Sequence, residues 1–125
     1  MKNKMLLVDV KNGEFREVQA GGLDDYYELI GCRVIDIVCR RIGGKRYEII
    51  CDDEGLYEEL PQISAVDIQE YPMLVGNLLI AGPAEEGELT DLTDEDIKHL
   101  SKYKRLVITT VHPEPYPIIT GMDYC

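Results

Sequence analysis

The sequence has no tryptophan and one phenylalanine, Phe15; its aromatic content is otherwise eight tyrosines. It has no apolar run near the roughly 18 residues that span a bilayer. The longest early run, Met5-Leu6-Leu7-Val8, is interrupted by Asp9 and Lys11. That is too short for the apolar region of a secretion signal, and no small-residue cleavage site follows, so no membrane role and a cytoplasmic location are expected. Zinc-type cysteine pairing is also missing. Cys32, Cys39, Cys51 and Cys125 never lie two residues apart, and His99 and His112 are remote from them. In a reducing compartment the expectation is three small buried thiols and one free terminal thiol. The doublets Gly21-Gly22 and Gly43-Gly44 do not extend into a phosphate-cradling loop. Basic residues are scarce, 13 against 24 acidic ones, for a net charge of −11. A general nucleic-acid or anionic-membrane binder needs a basic footprint, and this composition argues against one.

What is present suits one small globular domain. The chain has 125 residues, 45% hydrophobic and 30% charged. At this mass a folded monomer exposes roughly 6,800 Å², about a third of its extended surface. The fold class expected is α+β, a mainly antiparallel sheet of about five to seven strands with two short helices. Residues 1–111 are read as a single domain and 112–125 as a proline-rich, loosely ordered tail.

The local signals are uneven. Lys4–Val10 and Phe15–Gln19 read as strands about an Asn12-Gly13 turn. Leu23–Ile30 reads as a helix whose Leu23, Tyr26, Tyr27 and Ile30 share one face and whose end is Gly31. Arg33–Arg41 and Lys45–Asp52 form a hairpin about Gly43-Gly44. A three-residue loop would set Ile35, Ile37 and Cys39 opposite Cys51, Ile49 and Tyr47 on one wholly apolar face; a two-residue loop mixes both faces. The three-residue loop is therefore expected, with Ile35, Ile37, Tyr47 and Ile49 in the core. Residues 56–71, punctuated by Pro61, fit no clean period. Leu74–Ala81 reads as one buried strand containing Gly76. In 89–103, Thr93 is an N-cap with Asp96 at N3, and Leu92 and Ile97 form a hydrophobic staple. Leu106–Val111 is a last strand.

Taken in order, LDDYYELIGCRVIDIV, the acidic turn EIICDDEG, Leu60-Pro61, the strand Gly76-Asn77-Leu78-Leu79-Ile80-Ala81-Gly82 and the helix start DLTDED resemble the bacterial family DUF3846, a domain of unknown function. Asn77 stands where the family pattern has threonine, and Gln62-Ile63 follows Leu60-Pro61 where Pro-Asn is usual. The resemblance spans about Met5 to Lys102. It implies a setting among accessory genes of phages, plasmids and conjugative elements, and it brings no catalytic residues to carry over.

Candidate chemistry is sparse. Seven acids lie between Glu85 and Asp96 without a base. They lack the central glycine of a calcium loop, and Asp91, Asp94, Glu95 and Asp96 are read as serving the helix start. His112 beside Glu114 reads as loop, and His99 as a helix C-terminal cation. Arg40, Arg41, Lys45 and Arg46 gather on one hairpin tip and are the candidate contact for an anion or an acidic partner. No catalytic, cofactor or metal site assembles. The expectation is a small acidic non-catalytic accessory or interaction protein of a mobile element or phage, with a protein partner. Two alternatives stay open: an acidic decoy that inhibits a host defence or DNA-processing protein, and a small-molecule binder or enzyme whose site is not visible in sequence.

Overall fold

A computed structural model describes residues 2–57, 61–111 and 113–125. Leu60 of the Leu-Pro motif and His112 of the His–Glu pair lie outside them. In chain order the strands are β1 (Asn3–Asp9), β2 (Glu14–Ala20), β3 (Ile35–Ile42), β4 (Lys45–Asp52), β5 (Ile63–Val66), β6 (Pro72–Val75), β7 (Leu78–Glu85), β8 (Glu88–Thr90), β9 (Lys104–Val107), β10 (Tyr116–Ile119) and β11 (Met122–Tyr124). The helices are α1 (Leu23–Ile30) and α2 (Asp94–Ser101). The fold is α+β, as expected, but it has two sheets. A seven-stranded sheet runs β11-β3-β4-β7-β1-β2 with β8 beside β7, and a four-stranded sheet runs β6-β5-β10-β9. Among the described residues no helix is long and apolar enough to cross a membrane.

The two helices follow their local signals. Gly31 takes a left-handed conformation and its N–H closes α1 on the Tyr27 carbonyl. Thr93 and Asp96 form a reciprocal capping box at the start of α2. Leu92 is buried against the core, and Ile97 packs beside it.

The large sheet is covered on both faces, and this overturns the hairpin register. On one face Leu6, Val8, Tyr47, Ile49, Leu78 and Ile80 pack with Leu100 of α2 and Ile119 of the small sheet. On the other, Met5, Leu7, Ile50 and Leu79 pack with Tyr26 and Ile30 of α1. Strands buried on both sides need apolar residues at consecutive positions, so a mixed pairing costs nothing here. The loop accordingly has two residues: Ile42 pairs with Lys45, Cys39 with Glu48 and Ile37 with Ile50. Gly43 and Gly44 both have positive φ, 57° and 84°, as a two-residue hairpin turn of this hand requires. Tyr47 and Ile49 are core residues, but Ile37 is 44% exposed and Ile35 half-buried.

Two further expectations are corrected. The expected strand 74–81 is broken at Gly76, φ 75°, and its halves β6 and β7 enter different sheets. Asn77 at the break is 4% exposed. Its Oδ1 accepts from Val10 N at 2.9 Å, and its Nδ2 donates to Asp9 Oδ1 at 3.2 Å and to the Leu29 carbonyl at 3.1 Å, tying β1, α1 and β7 together. The tail is ordered by long-range pairing: β10 lies against β9, and β11 against β3. Tyr116 to Ile119 are buried, because they form an inner strand of the small sheet.

The same pairing corrects the cysteine reading. Met122, Asp123 and Tyr124 pair with Ile42, Arg41 and Arg40, so the next step in register sets Cys125 opposite Cys39. The two form a disulfide with Cα atoms 5.9 Å apart, 86 residues apart in sequence. Cys32 and Cys51 are free, Cys51 buried and Cys32 half-buried.

Candidate functional site

The four hairpin cations do not form one patch. Strand alternation sends Arg40 and Lys45 to the face of Tyr47, and Arg41 and Arg46, which pair across the hairpin, to the opposite face. Lys45 Nζ lies 2.7 Å from Asp96 Oδ1. The Arg40 guanidinium sits 4.8 Å from the centre of the Tyr124 ring and donates through Nη1 to the Cys39 carbonyl at 2.8 Å, while its buried Nε makes no hydrogen bond among the described residues. Arg41 and Arg46 are exposed, with no ion pair among the described residues.

Asp96 is a structural node rather than an acid–base group. Its Oδ1 accepts from Lys45 Nζ and, at 3.3 Å, from the Tyr47 hydroxyl. Its Oδ2 accepts from the backbone N–H and the hydroxyl of Thr93, both at 3.0 Å. Burial pushes this carboxyl up, but the Lys45 and Thr93 donors outweigh burial and hold it below the usual range. Burial and the neighbouring Asp96 charge drive the Tyr47 phenol well above its ordinary value. His99, expected as a simple helix-end cation, bonds through Nε2 to the Ile42 carbonyl at 2.8 Å. A carbonyl only accepts, so Nε2 carries the proton. The imidazole lies between Tyr47 and Tyr103, with ring centres 6.4 and 5.3 Å away. These contacts dock the hairpin tip onto α2. Two other acids of this segment contact Lys4: Asp91 accepts from Lys4 N at 2.9 Å, and the exposed Asp94 pairs with Lys4 Nζ at 3.4 Å. Among the described residues no group of three or more His, Cys, Asp or Glu side chains is placed to hold a metal ion.

The docked tip forms one wall of a groove of about 800 Å³ at the joint of the two sheets. Tyr103 occupies the joint because two glycines make room for it. A Cβ on Gly43 would come within 2.3 Å of the ring and one on Gly121 within 2.8 Å. The groove continues along β9, the edge strand of the small sheet. Its apolar lining includes Leu106, 63% exposed, and Ile68, 90% exposed; Ile108, just beyond β9, is 65% exposed. Arg41, Lys102 and Arg105 supply its positive charge. Its acids are Asp67, Glu70 and Asp123, so its lining is balanced in formal charge. On a chain of net charge −11, a charge-balanced groove is less repulsive to an acidic segment than the rest of the surface.

Of the sequence candidates, only Arg41 lines this groove. Lys102, Tyr103, Arg105, Leu106 and Gly121 were missed, because the 102–106 segment meets Gly121 and the hairpin tip only through the β9–β10 and β11–β3 pairings.

A family model described as a domain of unknown function, DUF3846, matches residues 1–107. No curated protein and no solved structure matches the chain.

Proposed function

For a chain that belongs to the DUF3846 family, we propose a non-catalytic interaction protein that captures an extended, acidic and apolar segment of a partner protein along β9. The observation that carries this reading is the edge position of β9, with Leu106 exposed in the groove that Arg41, Lys102 and Arg105 line and Ile108 exposed just beyond the strand. An edge strand offers unpaired backbone groups to an incoming strand, and the side chains beside it select the sequence that fits. Alternating apolar and acidic residues in the partner would meet the apolar lining and the cations in turn. In this reading the protein is an accessory factor of a bacterial mobile element or phage, acts in the cytoplasm, and leaves duplex DNA unbound at physiological salt. The decoy alternative draws on the acidic run 85–96, of which Asp96 is buried and engaged by Thr93 and Lys45 and Asp91 accepts from Lys4 N, while the others are exposed.

The test is selection from a library of random short peptides on the immobilised protein. Enriched peptides should alternate apolar with acidic residues, and their capture should weaken as salt rises. Leu106→Asp, at an exposed position, should abolish capture while leaving the thermal melt unchanged. No enrichment, or equal capture by Leu106→Asp, would overturn the proposal.

A further inference from the structure

β11 is a short element in a demanding place. It has three residues, pairs with β3, and forms the edge of the large sheet. Thr120, Gly121, Met122 and Asp123 also line the groove described above. The chain enters β11 from the small sheet through Thr120 and Gly121. Thr120 N and its hydroxyl both donate to the Tyr103 carbonyl, at 2.9 and 3.1 Å, and Gly43 N donates to the Gly121 carbonyl at 3.1 Å. Gly121 has φ 66°, a conformation suited to glycine and a natural pivot. Beyond it, Met122 is buried, whereas Asp123, Tyr124 and Cys125 are exposed. Besides pairing with β3, this outer part is held by Arg40 over the Tyr124 ring and by the disulfide to Cys39.

We propose that the Cys39–Cys125 disulfide is a redox latch: closed, it holds β11 as a wall of the groove; opened by a dithiol reductant, it frees β11 about Gly121 and weakens capture at the groove. The coupling rests on the groove reading above. Cys125 is exposed and Cys39 half-buried, so the attacking thiolate meets the Cys125 sulfur first. A new S–S bond forms between the reductant and Cys125, and the Cys39 thiolate leaves and takes up a proton. The second thiol of the reductant then displaces the Cys125 thiolate, which is protonated in turn. The reductant ends as a disulfide, having given two electrons and two protons, and the protein ends with two thiols. Disulfides in a reducing compartment are usually transient and regulatory rather than permanent staples, and an exposed edge bond between two opposed strand positions suits that use.

The test compares the oxidised protein with the same protein after dithiothreitol, reading amide hydrogen exchange and capture of the selected peptides. On reduction, exchange at Met122–Tyr124 should quicken by about tenfold or more while β1 and β7 stay protected, and capture should weaken. Cys125→Ser should behave as the reduced form and ignore dithiothreitol. Unchanged exchange at Met122–Tyr124 on reduction would overturn the latch and leave the groove reading standing. Faster exchange with undiminished capture would overturn the coupling. Failure of the oxidised protein to capture any peptide would instead overturn the groove reading and, with it, the coupling.

Discussion

Replacing Asp96 by alanine removes the acceptor for three groups at once. Thr93 loses its reciprocal cap bond, a change of about 1 kcal/mol by the usual cost of cap removal. Lys45 loses its partner, but its side chain is 44% exposed, so this adds at most about 1 kcal/mol. The Tyr47 hydroxyl belongs to a fully buried side chain and is left without its acceptor, at about 1–3 kcal/mol. The expected loss is about 2–5 kcal/mol, within the stability of an ordinary domain. Tyr47→Phe alone removes one hydrogen bond and should cost about 1 kcal/mol. The informative variant is the double one. With the hydroxyl gone, nothing buried is orphaned by the loss of Asp96, so the double substitution should cost about 2–4 kcal/mol less than the sum of the singles. Urea unfolding at constant slope measures all three, with Asp94→Ala as an exposed control at the same helix end that should change stability by less than about 0.5 kcal/mol. Additivity of the two substitutions, or a loss below about 1 kcal/mol for Asp96→Ala, would refute the reasoning.

Three further outcomes follow from the same geometry. Ile37→Ala should cost less than about 1 kcal/mol and Ile50→Ala about 2–5 kcal/mol in denaturant titrations, and the reverse order would restore the three-residue hairpin loop. Gly43→Ala must place its Cβ against the Tyr103 ring at positive φ, whereas Gly44→Ala meets open space. Thermal melts should show a loss of about 1–2 kcal/mol for Gly44→Ala, the cost of a left-handed residue, and a larger one for Gly43→Ala. Asp9 and Asp96 are both buried carboxyls, and burial alone would raise them. Hydrogen bonds from Asn12 and Asn77 with the nearby Arg16 charge in one case, and donors from Lys45 and Thr93 in the other, instead hold them below the ordinary 3.8. Their folded state therefore binds protons less readily than the unfolded one. Their contribution is complete above 3.8 and is lost as pH falls through the folded values, and Asp9→Asn or Asp96→Asn should flatten that acid limb of a stability profile.

Features that depend on neighbours in sequence were legible. Gly31 and the Thr93–Asp96 box mark helix ends through contacts a few residues apart, and the structure has both. The hairpin register was not legible. The argument for one apolar face assumes a sheet covered on one side, and only the packing of α1 on one face and of α2 and the small sheet on the other removes that assumption. The sequence reads Gly76 as the interior of one strand, but a corner between sheets leaves the same local mark. The tail looked unstructured because its partners, β9 and β3, are distant in sequence. Cys39 and Cys125 give no spacing signal for the same reason: their meeting is a consequence of the β3–β11 register. The groove inherits this illegibility. Arg41 stood out as part of a charge run, whereas Arg105 and Leu106 become neighbours of Arg41 only once β10 has carried the chain from one sheet to the other.

The most direct test of β9 as the binding edge is amide hydrogen exchange of the oxidised protein with and without a selected peptide. The fold leaves other sheet edges, at β2, β6 and β11, so the measurement discriminates among positions. Added strand pairing should slow exchange within Lys104–Val107 and leave β2 and α1 unchanged. Protection centred on β2, β6 or α1, with Lys104–Val107 unaffected, would contradict the account.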